Sequence, residues 1–267
     1  MDCTGSIHRA RAVSYGPYSS QYGELTVPNR PRPAVVCLLH GGFWRMPYAC
    51  GEITLIAQDL AARGYAVWNL EYRRLDEPGG GWPGTLQDVA AAIDHVATLL
   101  AEGVDLDLRR VIVVGHSAGG HLALWSAVRD RHFVSAGTVS RVPIFAAVGL
   151  APIADLAATY TLNAGNGAVS ELLGGSPVQY PERYAAASPA AQLPLGGRQL
   201  VLHGTQDEVL PIEQVRGYAQ AARAAGDQIE LVELIGSGHM DYLDPSSAAH
   251  AVLCTWLTNV LAQDLTD

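Results

Sequence analysis

The chain has 267 residues, of which 49% are hydrophobic and 16% are charged, so an apolar core is easily filled and extended disorder is not expected. A net charge of −9 argues against a nucleic-acid groove, because phosphate binding relies on clustered cations. All 17 basic residues are arginine. The absence of lysine excludes Schiff-base chemistry, pyridoxal-phosphate anchoring and a Walker A phosphate loop.

The N-terminal stretch MDCTGSIHRARAV lacks the apolar core of a signal peptide, and no apolar run reaches the roughly 20 residues that span a bilayer. The four cysteines form no C-x-x-C pair, we see no ligand-like pattern of cysteines with histidines, and H-E-x-x-H is absent. We therefore expect a cytoplasmic protein without metal or cofactor, whose partner is a small molecule rather than a membrane or nucleic acid. Nothing in the sequence predicts an oligomeric state.

In the first hundred residues, buried-type strands alternate with helical periods. Residues 1–33 are rich in turn formers and predict one or two short strands. The run AVVCLL at 34–39 predicts a buried strand, and apolar residues at helical spacing follow at 52–63. YAVWNL at 65–70 is the next predicted strand, and a second helical period extends from residue 85 to residue 100.

The same alternation continues to the end of the chain. VIVV at 111–114 predicts a strand, and a helical pattern begins a few residues later. Further strands are predicted at 145–150, 198–203 and 228–234, and further helices at 211–225 and from about residue 245 onward.

Alternating strands and helices predict an α/β fold, in which a mostly parallel sheet is covered by helices on both faces. Residues 151–190 are the exception, because they contain small helices, paired glycines and prolines but no strand. We interpret this segment as a small lid insertion above the sheet, within a single domain that covers residues 1–267.

The stretch VIVVGHSAGGHLALW places Ser117 at the corner between a strand and a helix. Gly115 and Gly119 flank it in a G-x-S-x-G pattern, where larger side chains would clash with the adjoining strand and helix. Such an elbow lifts the hydroxyl above the sheet. Ser117 is therefore the predicted nucleophile.

Two further reactive side chains follow strands. Asp207 comes just after 198–203, and His239 comes just after 228–234. In a parallel sheet the carboxyl ends of the strands meet at one edge, so these residues are expected beside Ser117. His239 would remove the serine proton, and Asp207 would orient the imidazole.

Other residues could fill these two roles. The rivals for the base are His40, His203 and His250, and the rivals for the acid are Asp155 and Glu208. We favour Asp207 because it belongs to an H-G-x-x-D turn after a predicted strand.

An oxyanion hole requires two backbone N–H donors. Ala118, which follows the nucleophile, supplies the first. Gly42 or Phe43, in the loop after the strand at 34–39, supplies the second, because adjacent glycines allow the backbone to approach the substrate.

The motifs HGGFW, GHSAGG, HGTQDEVLP and GSGH, in this order, resemble the α/β-hydrolase fold family of serine hydrolases. HGGFW with GHSAGG is similar to the esterase branch that includes hormone-sensitive-lipase-like carboxylesterases and kynurenine formamidases. Phe43 stands where the lipase-like group usually has a third glycine, which is the formamidase pattern.

The resemblance implies a carboxylesterase-like serine hydrolase that cleaves a small-molecule ester through an acyl-enzyme intermediate. The first alternatives are an arylformamidase-like amide hydrolase and an enzyme that uses the same site for acyl transfer or cyclisation. A peptidase and a non-catalytic binder rank below them. Trp44, Tyr72 and Trp82 are the predicted substrate-pocket aromatics.

Overall fold

The computed structural model describes residues 10–131 and 142–263, so the first nine residues of the N-terminal stretch lie outside it. Eight strands form one sheet in the order β1-β2-β4-β3-β5-β6-β7-β8. The strands are β1 (Arg11–Ser14), β2 (Tyr22–Thr26), β3 (Ala34–Leu39), β4 (Ala66–Leu70), β5 (Asp107–His116), β6 (Ala146–Leu150), β7 (Arg198–Gly204) and β8 (Gln228–Leu234). β2 pairs antiparallel with β1 and β4, and all other neighbours are parallel. The mostly parallel sheet is therefore confirmed.

Helices cover both faces of this sheet. They are α1 (Thr54–Ala62), α2 (Gly84–Ala101), α3 (Ala118–Ser126), α4 (Leu156–Thr161), α5 (Ala168–Leu173), α6 (Pro181–Ala187), α7 (Ile212–Ala224) and α8 (Ala248–Gln263). Because successive strand residues point to opposite faces, Cys37 packs with α2 and α3, whereas Leu38 packs with α1 and α8. Across 10–131 and 142–263, no helix has the length and apolar content needed to cross a membrane.

The strand before Ser117 is longer than the sequence predicts. β5 begins at Asp107, four residues before the apolar run at 111–114. Asp107 pairs with Ala34 of β3, and the register then shifts so that Val111 pairs with Val35. The apolar run is therefore the continuously buried part of a strand that begins with the sequence Asp-Leu-Arg-Arg, a segment that periodicity alone does not reveal.

The strand-free segment 151–190 packs on the main core. Its side chains Ile153, Leu156 and Leu172 are buried in the cluster that contains α2 and α3. The indole Nε1 of Trp125 on α3 donates to the carbonyl of Ala186 at 3.1 Å. In the structure the segment is thus a packed layer, and its movement as a lid remains a prediction.

Two glycines allow β5, α3 and β3 to approach one another in direct backbone contact. A Cβ atom on Gly115 would lie 2.0 Å from the carbonyl oxygen of Gly119. A Cβ atom on Gly119 would lie 2.1 Å from the carbonyl oxygen of Leu39. Both atoms belong to backbone that cannot rotate away, so the elbow is built only with glycine at these positions.

We predict that Gly119→Ala lowers the free energy of unfolding by about 1–3 kcal/mol or more, because the added methyl group forces β3 and α3 apart. Urea unfolding measures the change. Gly217→Ala on α7 is the matched control, since its Cβ meets nothing within 4 Å. This exposed helical position is expected to gain up to about 1 kcal/mol. Equal stability of the two variants would contradict the proposed clash.

Candidate active site

Ser117 occupies the sharp turn between β5 and α3. Its backbone has φ 55° and ψ −117°, a conformation that is strained for a residue with a side chain. The Ser117 N–H donates to the carbonyl of Leu150 at 2.8 Å, and the Ser117 carbonyl accepts from the N–H of His121 at 3.0 Å. The strained turn is therefore held on both sides by backbone hydrogen bonds.

Asp207 and His239 are joined by a hydrogen bond across two loops. Nδ1–H of His239, after β8, donates to Oδ2 of Asp207, after β7, at 2.7 Å. Oδ1 of Asp207 accepts from the N–H groups of Val209 and Leu210, both at 2.9 Å. Burial alone would raise the pKa of the Asp207 carboxyl, but the hydrogen bonds from His239 and the two amides lower it. Asp207 is thus a buried carboxylate that fixes the orientation of the imidazole.

Ser117 and His239 line one cavity of about 180 Å³. Most of its remaining surface comes from the loop after β3 and from residues beside Asp207 and His239. The lining residues are Gly41, Gly42, Phe43, Tyr48, Glu52, His116, Ser117, Val209, His239, Met240 and Leu243. The segment 151–190 contributes none of them. A hydroxyl and an imidazole therefore share a small recess with mainly apolar walls.

The loop after β3 runs directly past the serine. A Cβ atom on Gly41 would lie 3.2 Å from Cβ of Ser117, so a side chain at this position would press against the serine. Gly42 and Phe43, both with positive φ (97° and 50°), line the cavity. Ala118 is fully buried at the start of α3, where its N–H has no acceptor within its own helix. The predicted oxyanion donors thus lie on the two backbone segments that meet at Ser117.

A buried pair of polar side chains, His40 and Glu71, holds the base of this loop. Nδ1 of His40 lies 2.8 Å from the carbonyl of Gly41, and Nε2 lies 2.9 Å from Oε1 of Glu71. His40 therefore bridges the backbone of the loop and the Glu71 carboxylate. Burial opposes ionisation of Glu71, but the hydrogen bond from His40 and those from the N–H groups of Tyr72 and Cys50 lower its pKa.

His116 contacts His239, the predicted base, through a hydrogen bond and a ring contact. Its Nε2–H donates to the backbone carbonyl of His239 at 2.8 Å, and the two rings lie 4.8 Å apart between centroids. Burial lowers the pKa of His116 to about 4, so the ring is neutral at pH 7. A neutral imidazole beside His239 holds its backbone without adding a second charge.

The alternative candidates for the acid and the base make the following contacts. Nε2 of His203 donates to the carbonyl of Leu210 at 2.9 Å and lies 3.5 Å from Oδ2 of Asp207, and His250 contacts Asp59. Asp155 accepts from two N–H groups at the start of α4 and caps that helix. Glu208 is exposed to solvent.

The three predicted pocket aromatics do not line the cavity, which corrects that part of the sequence prediction. Positive φ values at Phe43 and at Trp44 (50° and 58°) turn the chain so that Trp44 is fully buried, edge-on to His121. Tyr72 is fully buried, stacks on His40 and donates its hydroxyl to the His40 carbonyl at 2.8 Å. Trp82 packs against the core near α2.

Tyr48, Met240 and Leu243 are among the lining residues that sequence reasoning missed. Met240 directly follows His239 and could have been inferred from that position. Tyr48 could not, because it reaches the site only when the chain folds back over Gly42, where a Cβ atom would lie 2.2 Å from its ring.

A sequence model of the BD-FAE family matches residues 25–221, which is most of the chain. The chain belongs to the BD-FAE family. The esterase LipC of Mycobacterium tuberculosis is 28% identical to this BD-FAE chain over 264 residues, covering 92% of this chain and 64% of LipC. LipM, a probable carboxylic ester hydrolase of the same organism, is 28% identical over 258 residues, covering 90% of this chain and 58% of LipM. The BD-FAE chain thus spans about three fifths of the length of these relatives.

Among solved structures, the thermophilic esterase Est2 of Thermogutta terrifontis superimposes on this BD-FAE chain with a TM-score of 0.76. The two are 22% identical, and the match covers 96% of this chain and 92% of Est2. This likeness confirms the predicted α/β-hydrolase fold.

We predict that Glu71→Gln lowers the free energy of unfolding by about 1–3 kcal/mol, because the buried carboxylate that accepts hydrogen bonds from the N–H groups of Tyr72 and Cys50 and faces His40 is replaced by an amide whose NH2 group cannot accept. Chemical denaturation measures the change. Glu233→Gln is the matched control: Glu233 pairs with Arg216 at 2.6 Å, but both side chains are at least a third exposed, so little change is expected. Wild-type stability of Glu71→Gln would show that the buried pair is dispensable.

Acid should destabilise this protein through its buried neutral histidines. Burial lowers the pKa of both His116 and His121 to about 4, from 6.5. Between these pH values the unfolded chain binds a proton at each residue and the folded chain does not. Each histidine therefore reduces the free energy of unfolding by about 1.4 kcal/mol for every pH unit that the pH falls.

We predict that His121→Gln makes this pH dependence shallower by about 1.4 kcal/mol per pH unit between pH 6.5 and 5. The glutamine amide can replace the ring as donor to the carbonyl of Ala187, which His121 contacts at 2.9 Å. Urea unfolding at several pH values measures the slope. An unchanged slope would mean that His121 does not titrate on unfolding.

Proposed function

We propose that this BD-FAE chain is a serine hydrolase that cleaves small-molecule carboxylic esters through an acyl-enzyme intermediate. One observation carries the proposal: His239, oriented by its 2.7 Å hydrogen bond to Asp207, lines the same recess as the strained Ser117. A nucleophile, a base and an orienting acid from three distant loops are the parts that acyl transfer requires.

In the proposed mechanism, Nε2 of His239 takes the proton of Ser117 as Oγ attacks the ester carbonyl. The Asp207 carboxylate stabilises the imidazolium that forms. The N–H of Ala118 and that of Gly42 or Phe43 donate to the oxyanion. His239 then gives its proton to the departing alcohol, and a water molecule that it deprotonates releases the acid from Ser117.

The size of the recess favours a short acyl group. About 180 Å³ is well below the roughly 300–1,000 Å³ of typical ligand pockets. Phe43, Val209, Met240 and Leu243 form its apolar wall, and Glu52 adds a carboxylate that disfavours an anionic acyl chain. We infer that acetyl to butyryl esters react faster than longer ones.

Ester chemistry is favoured over amide chemistry by the relatives, since LipC is named an esterase and LipM a probable carboxylic ester hydrolase. Formamidase activity, acyl transfer and a cytoplasmic location remain predictions from the sequence. Hydrolysis rates on p-nitrophenyl esters of increasing acyl length, compared with rates on N-formyl anilides, distinguish ester hydrolysis from amide hydrolysis.

We predict that Ser117→Ala lowers kcat on p-nitrophenyl acetate by a factor on the order of 10⁶, because the acyl acceptor is lost. The same variant should take no label from a fluorophosphonate probe. Ser126→Ala is the matched control: its hydroxyl lies on the same helix and donates to the carbonyl of Ala123 at 2.7 Å. It should retain both turnover and labelling. Turnover by Ser117→Ala comparable to wild type would exclude this serine as the nucleophile.

A further inference from the structure

A cluster of three different ligand types lies between α1 and α8 and takes no part in the Ser117 cavity. Asp59 lies on α1, and His250 and Cys254 lie on α8. The two α8 residues are four positions apart, so their side chains emerge on the same face of the helix. One ligand atom from each of the three residues lies within 4.8 Å of the others.

The spacing of these atoms is close to that of a tetrahedral metal site. Sγ of Cys254 lies 3.3 Å from Nε2 of His250 and 3.8 Å from Oδ2 of Asp59. Metal–ligand bonds of roughly 2.0–2.3 Å in tetrahedral geometry place neighbouring ligand atoms about 3.3–3.8 Å apart. Only the His250–Asp59 contact, a hydrogen bond of 2.6 Å, is too short and must open.

Burial and charge fit a divalent ion. The His250 imidazole is fully buried and Cys254 nearly so, whereas Asp59 is partly exposed and leaves a path for entry. A thiolate and a carboxylate together carry two negative charges, which a divalent cation neutralises. Thiolate with imidazole selects zinc or its analogue cobalt over magnesium and calcium, which prefer all-oxygen ligands.

Arg63 is the cation already bound to this cluster. Its Nε donates to Oδ2 of Asp59 at 2.5 Å, and its Nη2 lies 3.4 Å from Oδ1. The Arg63 side chain is 47% exposed, so it can release Oδ2 while continuing to bind Oδ1. In that position the guanidinium would orient the metal-binding carboxylate, as outer partners of metal ligands commonly do.

We propose that Asp59, His250 and Cys254 form a zinc site that ties α1 to α8, with water as the fourth ligand. On binding, the Cys254 thiol gives its proton to solvent and a Zn–S bond forms. The His250 proton moves from Nε2 to Nδ1, so that the Nε2 lone pair binds the ion. No oxidation or reduction takes place.

Cobalt titration of the untagged, metal-stripped full chain tests the site. Wild type should bind one Co²⁺ with a near-ultraviolet thiolate charge-transfer band and tetrahedral visible bands. Cys254→Ser should lose the charge-transfer band, and Asp59→Asn, at the partly exposed position, should weaken zinc binding by more than about 100-fold. His239→Ala is the matched control, expected to retain both signals because it disrupts only the Ser117 cavity.

Thermal unfolding gives a second readout. At free zinc about 100 times the measured Kd, the wild-type Tm should rise by about 5–10 °C, and that of Cys254→Ser should not. Circular dichroism verifies that each variant is folded. If Cys254→Ser does not fold, Asp59→Asn replaces it in the thermal experiment. No charge-transfer band in the wild type would overturn the proposal. The proposal would also be overturned if the charge-transfer band persisted in Cys254→Ser or disappeared in His239→Ala.

Discussion

The candidate active site depends on a close backbone contact between β3, β5 and α3. Gly115 and Gly119 let the turn at Ser117 lie against the carbonyl of Leu39, which brings the elbow within contact distance of the loop that follows β3. The strain at Ser117 is tolerated because hydrogen bonds hold both its N–H and its carbonyl. The proposed nucleophile and the proposed oxyanion loop are therefore positioned by one packing constraint rather than by two independent ones.

Buried polar side chains hold those backbone segments of the candidate site that the contact between β3, β5 and α3 does not position. His40 bridges the Gly41 carbonyl and the Glu71 carboxylate, whereas His116 is neutral and donates to the carbonyl of His239. Both rings therefore contact backbone of the candidate active site. Burying a carboxylate is costly, so the His40–Glu71 pair is better explained by the loop geometry that it enforces than by stability.

Much of this architecture could be predicted from the sequence, because the strands, the helices and the loops between them follow from apolar runs and helical periods. Asp207 and His239 were proposed in this way, since each follows a predicted strand, and the structure shows that their side chains are hydrogen-bonded. Side-chain direction could not be predicted. The turn after Gly42 sends Trp44 into the core instead of the pocket, because Phe43 and Trp44 adopt positive φ. The Asp59–His250 contact joins residues 191 positions apart, so no spacing rule reveals it.

The strand-free segment 151–190 is coupled to the oxyanion loop even though it contributes nothing to the wall of the recess. Arg45, just after the loop, donates to the carbonyls of Gly165 and Asn166 at 2.7 Å and 3.1 Å. Gly165 lies so close to the ring of Phe43 that a Cβ atom there would be 2.4 Å away. Any outward movement of the segment must break the Arg45 contacts and remove the support of Phe43. Opening of the segment and deformation of the loop after β3 would therefore be one event, so the packed arrangement is the one that fits the proposed acyl transfer.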